Sequence, residues 1–95
     1  AEMIVKKHGF TKDMLDQFSL ESHQKAKAAT EAGLFEDEIV ALEVETPEGT
    51  IMHSIDEGIR FDATLEGIAG VKLLSPEGTI TAASSSQICD GASAV

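Results

Sequence analysis

The 95 residues fit one small domain able to bury roughly 60–70% of its unfolded surface; with 4% aromatics, Phe10, Phe18, Phe35 and Phe61 must supply much of the bulk. Seventeen acidic against seven basic residues give a net charge of −10, which argues against nucleic-acid binding and against attraction to an anionic membrane, since both need clustered cations. No apolar run approaches the roughly 20 residues of a membrane span, and no signal-peptide pattern opens the chain.

Residues 1–8 read as a helix with Met3, Ile4 and Lys7 on one face. Gly9 stands where a left-handed cap belongs, and Thr11 is a good N-cap for the next helix. Phe10 and Leu15 have the spacing of a hydrophobic staple. The second helix is predicted over 12–32, with Leu15, Phe18, Ser22, Ala26 and Ala29 as its apolar face and Met14 beside it. Gly33 ends it, with Leu34 folding back on Ala29 in a Schellman close.

The period then changes. Val40, Leu42 and Val44 alternate with Ala41, Glu43 and Glu45, the pattern of a half-buried strand. Thr46-Pro47-Glu48-Gly49 is a turn, and 50–55 return as the partner strand. Residues 56–61 read as loop, and 64–70 as a short helix with Leu65, Ile68 and Ala69 inward. Ser75-Pro76-Glu77-Gly78 repeats the turn chemistry of 46–49, without the wider self-similarity of a repeat protein. The fold class is therefore α+β: two helices, a β-hairpin and a short helix.

The last eighteen residues carry the strongest functional signal. Gly78, Ala82, Ala83 and Gly91 flank the hydroxyls of Ser84, Ser85 and Ser86, so backbone can approach a ligand closely and offer small donors and acceptors to it. The closing apolar stretch reads as the start of a strand. With no initiator Met and few large core residues, this points to a piece of a larger protein. Cys89 is the sole cysteine, which excludes an internal disulfide and fits a reducing, cytoplasmic compartment; it reads as a buried small apolar residue. His8, His23 and His53 lack metal-ligand spacing, His23 reading as an exposed helix residue. Glu36-Asp37-Glu38 lacks the glycine and alternating oxygens of a calcium loop, so no metal site is expected.

Three segments in order, LDQFSLESHQKAKAATEAGLFEDEIV (15–40), DEGIRFDATLEGIAGVKLL (56–74) and EGTITAASSSQICDGASAV (77–95), resemble the middle of a thiolase, an acetyl-CoA C-acyltransferase. The resemblance covers nearly the whole chain apart from the hairpin at 41–55. It implies that 1–76 belong to the loop domain that lies as a lid over the active site, and 77–95 to the return into a core strand of the first domain, all within a larger α/β enzyme. It implies Claisen chemistry on acyl-CoA and acetyl-CoA, with coenzyme A as substrate rather than as a permanently bound cofactor. It implies a homo-oligomer, and as partner the rest of the thiolase chain. A non-catalytic acyl-CoA or lipid-binding relative is the alternative, since the deciding residues lie elsewhere. The family's acyl-carrying cysteine lies before this stretch, and its histidine and second cysteine after it. No catalytic residue is therefore assigned, and the chain is expected to be inactive alone.

What carries over is contact with coenzyme A. Arg60 matches an arginine near the nucleotide phosphates, where a planar guanidinium meets oxygens in pairs. Ser86 matches a serine beside the pantetheine arm, and Ala82 a small residue of the same wall. Gly67 stands where some members place an adenine-side serine, Thr30 where some place a glutamine, and Leu74 where some place a phenylalanine. From the residues alone, Arg60 has a second reading as a surface partner of Asp56 or Glu57, and Ser86 as a turn hydroxyl. Lys72 reads equally as a phosphate partner or a free surface lysine.

Overall fold

Gly9 and Thr11 set the first corner. A computed structural model describes all 95 residues, and it begins with α1 (Glu2–His8) and α2 (Lys12–Glu31). Gly9 takes φ +67° and returns an N–H bond to α1, and the Phe10 ring stacks on His8 at 5.8 Å. Thr11 is extended, and its hydroxyl accepts the Met14 N–H at 3.2 Å. At the far end Gly33 (φ +71°) donates to Thr30 O and Leu34 to Ala29 O, the paired bonds of a Schellman close.

The strands follow as β1 (Leu42–Thr46) and β2 (Gly49–His53), antiparallel in the register Thr46↔Gly49 to Leu42↔His53. Proline starts the two-residue turn, and the Thr46 hydroxyl donates to Gly49 O at 2.7 Å. The ribbon is exposed along almost its whole length rather than half-buried as its alternation predicted. No other element of the chain covers either face. After a loop, α3 (Leu65–Ala69) is capped by Thr64, whose hydroxyl accepts the Gly67 N–H. The second reverse turn, Ser75–Gly78, closes with Gly78 N–H to Ser75 O and supports a single bridge, Leu73↔Thr81. A 3-10 turn, Ala82–Ser84, is the last regular element. The strand expected at the end is absent, because residues 85–95 have no neighbour to receive their backbone bonds.

The packed centre is small. Val5, Leu20 and Ile68 are its buried apolar residues, joined by Asp16, Ser19 and Thr81. Three predicted faces are therefore corrected. On α2 the side turned inward carries Asp16, Ser19 and Leu20, with Leu15, Ala26 and Ala29 half-buried, while Ser22 is exposed and Phe18 is 74% exposed. α3 and the 82–84 turn pack against α2, and its inward polar groups draw their bonds from the helix itself, apart from Asp16 Oδ1, which is buried without a partner. Asp16 takes Lys12 Nζ at 2.5 Å, and Ser19 donates to Leu15 O at 2.9 Å. On α1 the inward pair is Glu2 and Val5, one turn apart, while Met3 and Ile4 face out. In α3 only Ile68 is buried; Leu65 and Ala69 stay exposed. No helix is long and apolar enough to cross a membrane.

Long-range polar links do much of the joining. Lys12 Nζ also donates to Ala69 O at 3.2 Å, tying the start of α2 to the end of α3. Glu2 reaches the second reverse turn, where its carboxylate accepts Thr79 N–H (2.8 Å), Ile80 N–H (3.0 Å) and the Thr79 hydroxyl (3.0 Å). The backbone N–H of Thr79, and then that of Ile80, hold the Glu2 carboxyl below its ordinary value against the opposing effect of desolvation.

Two predictions follow from these local devices. Ala at Gly9 or Gly33 forces a Cβ into the left-handed region, at a cost of about 1 kcal/mol each. The two losses should be similar: at Gly9 the new Cβ meets nothing within 4 Å, and at Gly33 only the mobile Glu36 carboxylate, 3.0 Å away. Urea unfolding followed by circular dichroism checks both. For Glu2 the folded value is depressed, so its stabilisation is complete above pH 4.5, the ordinary value, and is lost as pH falls through the lowered folded value. The Thr79 and Ile80 amide resonances should titrate together below pH 4.5 and lose that titration in Glu2→Ala.

Candidate functional site

α2 is the surface on which the predicted site segments are mounted. The Arg60 loop is tied to it by one bond, in which the Arg60 backbone N–H donates to His23 Nδ1 at 3.1 Å. His23 is thus a half-buried anchor and not the free helix residue expected, because a partner 37 positions away leaves no local signal. α3, which carries Gly67, packs on α2 through Ile68, and the 3-10 turn that carries Ala82 also packs on α2.

The Arg60 loop is shaped by its own acid. Asp56 Oδ1 accepts the Gly58 N–H at 2.8 Å, so this carboxylate is spent on the turn. The chain's single ion pair joins Lys12 and Asp16, which leaves the exposed Arg60 guanidinium without a carboxylate partner. The surface-pair reading of Arg60 with Asp56 or Glu57 is not realised.

The serine run divides in two. Thr81 is fully buried, and its hydroxyl accepts the Ala83 N–H at 3.1 Å. Ser84 Oγ accepts the Thr81 N–H at 3.0 Å, closing a reciprocal capping box. Ser85 Oγ donates to Thr81 O at 2.8 Å. Ser84 and Ser85 therefore hold the turn, and Ser86 beyond them is exposed with its hydroxyl free of the turn. Ala82 is exposed at the start of the same turn.

The Arg60 loop and the serine tail meet. A Cβ built on Gly58 would stand 2.5 Å from Gln87 Nε2, so the side chain next to Ser86 lies directly over the glycine two residues before Arg60. Gln87 was not singled out from the sequence, since only the fold puts it against DEGIR. Gly67 is exposed on α3, and a Cβ there would sit 3.1 Å from the Thr64 hydroxyl that caps the helix. Cys89 is exposed, contrary to its reading as a buried apolar residue, because no segment of the chain packs over the tail.

An open groove of about 690 Å³ lies elsewhere, between α2 and α3. Met14, Phe18 and Leu65 line it together with Asp13, Asp16 and Glu21. Its acids repel an anion, and none of the four predicted contact residues faces it. Chemically, the Arg60 loop and the tail that meets it at Gln87 offer one unpaired cation, one free hydroxyl and small residues. That set can hold an anionic group at one end and a narrow polar arm at the other.

Comparison with known proteins agrees in sequence and in shape. The family model described as thiolase, N-terminal domain, matches residues 1–95. The 3-ketoacyl-CoA thiolase of Stutzerimonas stutzeri is 48% identical over 96 residues, spanning 98% of this chain and 25% of the relative. That of Psychrobacter is 43% identical over 98 residues, spanning 100% of this chain and again 25% of the relative. The chain thus spans about a quarter of the length of these relatives. The crystal structure of human mitochondrial 3-ketoacyl-CoA thiolase superposes with a TM-score of 0.79 at 34% identity, covering 84% of this chain and 20% of that one. The Bacillus anthracis acetyl-CoA acetyltransferase gives 0.77 at 34% identity, covering 86% and 21%. With every residue matched by that family model, and with relatives nearly half identical to it, the chain belongs to the thiolase family, in its N-terminal domain.

Proposed function

We propose that this chain forms the coenzyme-A-facing part of a thiolase that transfers acyl groups between acetyl-CoA and acyl-CoA, by Claisen condensation or thiolysis. One observation carries the reading: Arg60, free of any carboxylate partner, stands two residues from Gly58, which meets Gln87, the residue that follows the exposed Ser86. Arg60 then meets the nucleotide phosphates, and Ser86 and Ala82 line the pantetheine arm. Gly67 lies on the adenine side, where lack of a side chain leaves room but offers no hydroxyl. The division is that of a lid, 1–76, and a return segment, 77–95, in a soluble cytoplasmic homo-oligomer whose remaining chain supplies the catalytic groups. No cofactor is permanently bound; coenzyme A enters and leaves as substrate.

The net charge of −10 opposes an anionic ligand only at long range. Charge interactions decay over about 8 Å at physiological salt, so a guanidinium in contact outweighs distant carboxylates.

In the full-length protein, Arg60→Ala should raise KM for acetyl-CoA about tenfold, the loss expected for one charge-assisted phosphate contact. KM for acetyl-pantetheine, which lacks the nucleotide, should be unchanged. Steady-state kinetics with the two thioesters checks this, and unaltered KM for acetyl-CoA rejects the role of Arg60. The 95-residue chain alone should cleave no acetoacetyl-CoA in the presence of coenzyme A, since it pairs no thiol with a histidine. Turnover above the uncatalysed rate would overturn that assignment.

A further inference from the structure

We propose that Glu2 is a positioning residue for the wall that carries Ala82 and Ser86, acting through the 79–85 backbone. The inference rests on the reading of Ser86 as a contact of the pantetheine arm.

The geometry forms a continuous series. One Glu2 oxygen accepts the N–H groups of two consecutive residues, Thr79 at 2.8 Å and Ile80 at 3.0 Å. The other accepts the Thr79 hydroxyl at 3.0 Å. Three donors on one carboxylate fix the direction of the backbone at 79–80, and bonds to a charged acceptor are among the stronger kind. The other side of this stretch is held by Leu74 N–H to Ile80 O at 2.9 Å. The next residue, Thr81, is fully buried, and the capping box with the Ser85 bond makes 81–85 one stiff unit. Ser86 is the first residue beyond that unit. A change in where Glu2 holds Thr79 is therefore passed to Ser86 with little slack between them.

Gly78 supports the same arrangement from the other side. A Cβ at that position would collide with Glu2 Oε1. The backbone of Gly78 is not in the left-handed region, so its lack of a side chain serves the approach of the carboxylate and not a backbone twist. Glu2 stands 77 and 78 positions in sequence from the residues it bonds.

Four variants of the full-length protein test this, assayed with acetyl-CoA and with acetyl-pantetheine: Glu2→Ala, Gly78→Ala, Glu2→Gln and Ser86→Ala. Displacement of the arm contact acts on both thioesters alike, so Glu2→Ala and Gly78→Ala should each raise both KM values by the same factor, about fivefold to tenfold, with kcat within about twofold. Glu2→Gln keeps an oxygen for the two N–H groups and should return both KM values to within about threefold of the parent. That split and that rescue distinguish positioning from general destabilisation. If Ser86→Ala raises both KM values while Glu2→Ala and Gly78→Ala leave them unchanged, the positioning role is overturned and the arm contact stands. Unchanged KM values in Ser86→Ala overturn both. Should Glu2→Ala not fold, Gly78→Ala gives the same comparison, and a fall in its kcat with KM unchanged overturns the role of Glu2.

Discussion

The interaction on which the rest depends is the carboxylate of Glu2 on the backbone of Thr79 and Ile80. It joins positions 77 and 78 residues apart, and it does so in a chain whose buried apolar centre is only Val5, Leu20 and Ile68. Hydrophobic burial on that scale does not specify how distant segments meet, because it is non-directional. Directional bonds do so here. Glu2 fixes α1 against the second reverse turn, Lys12 fixes α2 against the end of α3, and His23 fixes the Arg60 loop against α2. Each ties a helix to a loop or a helix end, and each uses a backbone group on the loop side.

Surface area gives the same account from outside. The chain exposes 7971 Å², whereas a compact domain of its mass exposes about 5,200 Å². Its radius of gyration is 16.6 Å, against about 12 Å for a compact domain of this length. The surplus is apolar in distinct places: Met3 and Ile4 on α1, Met14 and Phe18 on α2, and the hairpin face with Val44 and Ile51. Surface of that kind is characteristic of an interface to further protein. It fits a chain that spans about a quarter of its relatives' length.

Local rules were legible in the sequence, and inward faces were not. Gly9, Thr11 and Gly33 act within four residues of themselves, so their roles follow from identity and spacing alone. The faces of α1 and α2 are set by what packs against them. Periodicity marks Phe18 as inward, and within these 95 residues nothing covers it. The twin turns sharpen the point. TPEG and SPEG reverse the chain equally well, yet the first extends into five ladder pairs and the second into one bridge. The flanks differ: one turn has free strands on both sides, while Glu2 holds Thr79 and Ile80 directly after the other. For the candidate site, Arg60, Ser86, Ala82 and Gly67 came from resemblance to a family. The residues that organise them, Glu2, His23 and Gln87, act across the fold and carry no motif.

The acidity of the chain and the anionic ligand proposed for it are reconciled by where the carboxylates go. Glu2 is spent on three donors, Asp56 on the Gly58 N–H, and Asp16 on Lys12. Asp13 and Glu21 line the groove between α2 and α3, which the Arg60 face does not share. Arg60 stays unpaired although Asp56 and Glu57 are near in sequence, with Asp56 turned to the Gly58 N–H. That vacancy distinguishes a guanidinium available to a phosphate from one already neutralised on the surface.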